Sequence, residues 1–137
     1  MDEFALELVR DWMTRASHNL RSARLLAAAD DPPLDTAIYH CQQAAEKSIK
    51  AWLQGQDIPF RKTHDAADLV KQACGSNPEF AQFEMAASVV TPYASAYRYP
   101  GGASEPMPTQ EEFNEALSHA QDIPDFVQSR LPTEARP

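Results

Sequence analysis

The sequence predicts an all-α protein, a bundle of two long antiparallel helices with shorter helices packed on them. Three observations carry this. Apolar residues recur at intervals of three and four along most of the chain, which is the helical period. Capping residues and prolines divide that pattern into five helical segments. The alternation that marks a half-buried strand fails over the same windows.

The first helix is expected from about Glu3 to Ala29, with Phe4, Leu8, Trp12, Ala16, Leu20, Ala23 and Leu26 or Ala27 on its core side. Its arginines, Arg10, Arg15, Arg21 and Arg24, fall on or near the solvated face, where ion pairs are worth only about 0–1 kcal/mol. Asp30-Asp31-Pro32-Pro33 ends it, and Pro33 suits the first turn of the next helix. That second helix is the centre of the chain. Leu34, Ala37, Ile38, Cys41, Ala45, Ile49 and Trp52 form an apolar stripe, widened by Ala44, Ser48 and Leu53. The opposite face carries Tyr39, Gln43, Glu46, Lys47 and Lys50. Gly55 fits a C-terminal cap.

A loop from Gln56 to Lys62 should tuck Ile58, Pro59 and Phe60 onto the core, with Thr63 as N-cap of a short third helix. Its apolar side is Ala66, Leu69, Val70 and Ala73. Asn77-Pro78-Glu79 starts a fourth helix with Phe80, Phe83, Ala87, Val90, Ala94 and Tyr97 buried. Pro92 interrupts it at a cost of about 3 kcal/mol in an unadapted helix, and a kink is expected there because the pattern continues to Tyr97. Arg98-Tyr99-Pro100-Gly101-Gly102 ends this segment. Thr109 and Glu112 have capping-box spacing, opening a fifth helix with Phe113, Ala116, Leu117, Ala120, Ile123, Val127 and Leu131 inside and a bend at Pro124. Residues 1–131 read as one domain, and Pro132 to Pro137 as a loose tail.

Composition narrows the function. The chain has 137 residues and a net charge of -8, which argues against coating duplex DNA or RNA. From Glu46 to Gln72 the balance reverses, five Lys and Arg against four Asp and Glu, so a local anion site is compatible with the acidic total. Cys41 and Cys74 make no disulfide framework, and Cys41 reads as a small buried residue. No His/Cys spacing suits zinc, no phosphate-binding glycine loop with a following Lys appears, and catalytic motifs are mostly absent, so neither metal nor cofactor is expected. The chain starts without the positive charge of a signal peptide and has no apolar run of about 18 residues; a cytoplasmic protein with no membrane contact is expected.

The candidate binding residues are polar groups on one helix face and at element ends. Gln43, Lys47 and Lys50 could meet a phosphate and a base edge; the plainer alternative is a solvated face with a Glu46–Lys50 pair. His64, beside Lys62 and Thr63 at a helix start, could assist an anion or simply pack the loop. Arg98 stands between Tyr97 and Tyr99, whose rings could hold its guanidinium for phosphate or carboxylate. The alternatives are a cation closing a helix and a buried structural Arg. His18, His40 and His119 have no matched partner in the sequence and read as surface or interface residues.

Three runs, Gln42 to Leu53, Lys62-Thr63-His64-Asp65 and Tyr97-Arg98-Tyr99-Pro100, together resemble the HEPN domain (higher eukaryotes and prokaryotes nucleotide-binding). Trp12, Ala16, Asn19, Leu20 and Ala23 resemble that family's first helix, with Asn19 where Asp is usual. The resemblance spans about Phe4 to Leu131 and implies a five-helix up-and-down bundle, commonly a homodimer. Some members look like metal-independent ribonucleases that carry an Arg followed a few residues later by His. Arg98 has no such His after it, Ser104 and its neighbours being non-basic, so the resemblance implies no catalytic residue here. Other members bind nucleotides or accompany minimal nucleotidyltransferases in toxin–antitoxin-like pairs, and this chain resembles that group better. The expectation is a nucleotide-binding or accessory module, with Gln43, Lys47, Lys50, His64 and Arg98 lining the cleft. An RNA endonuclease using Arg98, and an interaction scaffold without a ligand, are the alternatives.

Overall fold

The computed structural model describes residues 1–100 and 106–137; the expected Gly101-Gly102 stop and Ser104 lie outside the described residues. Five α-helices follow in order: α1 (Glu3–Ala27), α2 (Leu34–Gly55), α3 (Ala66–Ser76), α4 (Glu84–Val90) and α5 (Gln110–Arg130). Among the described residues there is no strand. Nor is any described helix long and apolar enough to cross a membrane.

The apolar stripe of α2 is the middle of the core. Ala37, Ile38, Cys41, Ala44, Ala45, Ile49 and Leu53 are all fully buried. Burial also pushes the Cys41 thiol up to about 12, so it stays a protonated, unreactive packing group. Helix α1 runs antiparallel to α2: Asn19 meets His40 and Lys47, Trp12 lies beside Lys50, and Val9 and Met1 approach Gly55. Helix α5 runs antiparallel to α1, joined by Arg24 to Gln121 near one end and by the Arg10 guanidinium to the Glu134 carbonyl near the other. Phe126 on α5 packs edge-on against Phe80 and Phe83, closing the lower core.

The return passage between α2 and α3 is made by a loop rather than a helix. Residues 56–65 run back along the polar face of α2, so α3 starts level with Gln42 and ends level with Trp52, whose indole donates to Ser76 Oγ. Asp57 makes the reversal at φ 56°, a left-handed conformation that Asp tolerates better than bulkier residues. Gly55, expected to be the left-handed cap, is instead the last helical residue. Its small size serves close approach, since a Cβ there would sit 3.3 Å from Met1 Cε and 3.5 Å from Val9 Cγ2.

Several other expectations shift. The fully buried stripe of α1 begins with Val9 and Met13, and Phe4 is 70% exposed, because α2 ends level with Val9. Asp65, not Thr63, caps α3 by accepting from the Asp68 amide; Thr63 accepts from Asp65 and shapes the turn before it. Pro33 stands just outside α2, at the N-cap position. The fourth segment is not one kinked helix. It is a tight 3-10 turn (Pro78–Phe83), α4, and a second 3-10 turn (Thr91–Ala94) containing Pro92. Pro92 has no N–H to give the Ser88 carbonyl, so α4 stops at Val90, and the Thr91 hydroxyl adds a second donor, at 2.7 Å, to the Ala87 carbonyl that its own N–H already reaches. Helix α5 continues through Pro124. The C-terminal tail, expected loose, folds into a turn (Thr133–Ala135) with Ala135 fully buried and Arg136 donating to the Leu131 carbonyl.

The Thr109–Glu112 capping box is formed in both directions, each bond 3.0 Å. It also holds the Glu112 carboxyl below the usual carboxylate range. Thr109→Ala should therefore lower unfolding free energy by about 1 kcal/mol, read as a lower urea midpoint at unchanged slope.

Candidate functional site

On α2, Tyr39, His40, Gln43, Glu46, Lys47 and Lys50 succeed one another at helical intervals and make one polar stripe. The sequence left that stripe facing solvent. The structure covers its lower half with Trp12 from α1 and Phe60 and His64 from the returning loop. Glu46 is 3% exposed and Lys50 7%. The Glu46 carboxylate accepts from Lys50 Nζ at 3.0 Å, from His64 Nδ1 at 2.9 Å and from Gln42 Nε2 at 3.1 Å. Gln43 Nε2 donates to Gln42 Oε1 at 2.7 Å and more weakly to Glu46. Lys50 Nζ also lies 5.6 Å from the Trp12 ring and 5.8 Å from the Phe60 ring, at cation–π range. A buried carboxylate is tolerable only when its lone pairs and its charge are both answered, and here they are. Gln43, Lys50 and the exposed His64 thus belong to one network around the buried Glu46.

Higher on the stripe a second arrangement begins. Lys47 Nζ donates to Asn19 Oδ1 at 2.8 Å, and Asn19 Nδ2 lies 2.7 Å from His40 Nδ1. The lysine has only protons to give, so the Asn19 carbonyl must face it and the Asn19 amide must face His40. His40 Nδ1 is then an acceptor, and the ring proton sits on Nε2. Burial, and next the Lys47 charge, hold the His40 pKa below its ordinary value. Lys47 is itself lowered, mainly by burial, with Arg15 and Lys50 adding to it and Glu46 opposing.

His40 lines a cleft of about 260 Å³ with Asp35, Thr36, Tyr39, Tyr97 and Arg98. The cleft exists because Pro92 ends α4 early, letting residues 95–100 cross to the first turns of α2. The Arg98 guanidinium lies 4.6 Å from the Tyr39 ring centre and 5.7 Å from that of Tyr99. Tyr97, expected to flank Arg98, instead stacks on Tyr93 and donates to Glu112 at 3.3 Å. Arg98 is exposed, and among the described residues its side chain makes no hydrogen bond or ion pair, unlike a buried structural Arg. The five sequence candidates therefore divide. Arg98 lines the cleft, Lys47 stands behind His40, and Gln43, Lys50 and His64 lie in the Glu46 network. Among the described residues no group of three His, Cys, Asp or Glu is placed to hold a metal.

A family model for the HEPN domain matches residues 9–130. The chain belongs to the HEPN family. A crystal structure of an archaeal HEPN homologue superposes with a TM-score of 0.71 at 28% identity, over 89% of this chain and 96% of that one. A crystal structure of a Thermus thermophilus protein gives 0.74 at 30% identity, over 90% and 98%. A search of curated proteins gave no match.

Sequence reasoning missed His40, Asn19, Asp35 and Thr36 as site residues of this HEPN domain. His40 had a signal, since it lies seven residues before Lys47 and shares its face. Asn19 was marked only by standing where the family usually has Asp, and its partners, His40 and Lys47, are on another helix.

Both networks should be visible in stability. Lys50→Ala leaves Glu46 buried without its cation and should cost about 3–5 kcal/mol by chemical denaturation. Arg15→Ala, which removes the exposed Asp11 pair, should cost under about 1 kcal/mol. His40 releases its proton more readily folded than unfolded, where a histidine titrates at about 6.5. As pH falls through that value the unfolded chain takes up the proton first, so stability drops with acidification. Thermal melts between pH 7.5 and 5.5 should show this slope, and His40→Gln should flatten it.

Proposed function

We propose that this HEPN protein is a nucleotide-binding module, and that it serves as the accessory partner of a minimal nucleotidyltransferase in a toxin–antitoxin-like pair. The observation that carries the binding reading is Arg98. Its guanidinium is oriented over Tyr39 at the edge of a cleft, with its hydrogen-bond donors unused among the described residues. A planar fork in that setting suits a phosphate, and the tyrosine faces suit a base. Lys47 supports the site through Asn19 and His40. Gln43, Lys50 and His64 contribute by holding the loop and α2 together. The partner and the homodimer rest on family resemblance alone, and sedimentation with and without a co-expressed nucleotidyltransferase tests both.

Calorimetric titration with ATP, GTP and a short single-stranded RNA should show binding of at least one of them. Arg98→Ala should weaken that binding tenfold or more while changing stability by about 1 kcal/mol or less, since it removes only exposed contacts with the Tyr39 and Tyr99 rings. Absence of binding to every probe, with no nucleotidyltransferase association, would sink the proposal and leave a ligand-free scaffold.

One observation favours a second reading, an RNA endonuclease. The imidazole missing after Arg98 in sequence is present in space, because His40 lines the same cleft. Cleavage of single-stranded RNA in EDTA, abolished by Arg98→Ala, would establish it.

A further inference from the structure

The Lys47–Asn19–His40 chain joins α1 to α2 and fixes a side chain that lines the cleft. On the reading that a nucleotide binds beside Arg98, we infer that Asn19 and Lys47 are positioning residues. They lock the His40 imidazole with its proton on Nε2, and the cleft so built takes a singly charged phosphodiester in preference to a terminal phosphate.

The lock is a consequence of hydrogen-bond chemistry. Lys47 donates at 2.8 Å and cannot accept, which orients the Asn19 amide; Asn19 then donates to His40 Nδ1 at 2.7 Å. Only Nε2–H remains for a ligand. The groups around that ring are Lys47 and Asp35 on its own helix, Tyr39 beside it at 5.6 Å between ring centres, Asn19 from α1, and Tyr97 and Arg98 from the segment after α4. The Lys47 charge and the burial of the ring both oppose a second positive charge on His40.

The cleft therefore offers an anion one cation, Arg98, and uncharged donors, the His40 Nε2–H among them. A phosphodiester carries one negative charge, which Arg98 answers, while Nε2–H can donate to its second non-bridging oxygen. A terminal phosphate carries about -1.5 to -2 charges at neutral pH. Its extra charge finds no second cation and shares the cleft with the Asp35 carboxylate. The chain's net charge of -8 acts in the same direction at longer range. The diester could be an internal linkage of single-stranded RNA or the ring of a cyclic mononucleotide.

The test uses the full chain and three probes: a dinucleoside monophosphate, a 3′,5′-cyclic mononucleotide and the matching nucleoside 5′-monophosphate. In calorimetry at pH 7.5 at least one diester should bind tenfold or more tightly than the monoester, and which one it is identifies the source. Long-range proton–nitrogen NMR should show His40 in the Nε2–H form. Asn19→Asp places a carboxylate that accepts from Nδ1–H and favours the imidazolium, so it should reverse the preference toward the monoester. Lys47→Met frees the Asn19 amide to turn over and should give mixed His40 tautomers, a readout that stands even if Asn19→Asp fails to fold. Equal or tighter monoester binding by the wild type, an Nδ1–H signal, or a folded Asn19→Asp with unchanged preference would each overturn this inference and leave nucleotide binding intact. No binding of any of these probes would overturn this inference, and no binding of ATP, GTP or RNA either would overturn the nucleotide site with it.

Discussion

The Glu46 carboxylate is the constraint around which this HEPN bundle is arranged. An acid in the middle of a buried helix face costs several kcal/mol to desolvate unless its charge and lone pairs are matched. Lys50 from the next turn supplies the charge, Gln42 from the previous one a donor, and His64 another from the far end of the loop. Each helps to decide a piece of topology. The His64 contact, with the Gln42 bond to the His64 carbonyl at 2.9 Å, draws residues 56–65 back along α2. That return is what lets α3 run parallel to α2 and present Ala66, Leu69, Val70 and Ala73 to the core.

The same arrangement divides the polar stripe of α2 into two functional halves. Around Glu46 and Lys50 the stripe is covered by Trp12, Phe60 and the loop, and Gln43, Glu46 and Lys50 bond within one network. Toward the start of α2 the cover thins: Lys47 and Asn19 still close one side, but Tyr39 and His40 open onto the cleft. Pro92 is the second determinant of that opening. Had α4 continued as an α-helix, residues 95–100 would have stayed on its axis. Because it stops at Val90, Arg98 reaches the Tyr39 ring at 4.6 Å.

Much of the bundle was legible in the sequence because local and tertiary preferences agree there. The apolar residues of α3 and α5 were readable from period alone, with Leu117 only partly covered, as was the Thr109–Glu112 capping box, whose partners are three residues apart. The site was less legible for a related reason. Arg98 could be picked out by its tyrosine neighbours, but its closest ring is Tyr39, far away in the chain. Lys50 and Gln43 were visible as polar residues on a polar face, and polarity without a view of the returning loop reads as exposure.

By itself the sequence determined the helical class, the core stripes of α2, α3 and α5, the HEPN resemblance, and the absence of the histidine expected after Arg98. These depend on spacings of three and four residues and on short motifs, and such interactions close within a turn or two of helix. The tertiary structure alone decided that Glu46 and Lys50 are buried, that Gly55 serves close packing, and that His40 joins Arg98. Each of these depends on residues brought together from different elements. A helical period specifies which face a side chain occupies, and only packing specifies what stands opposite it.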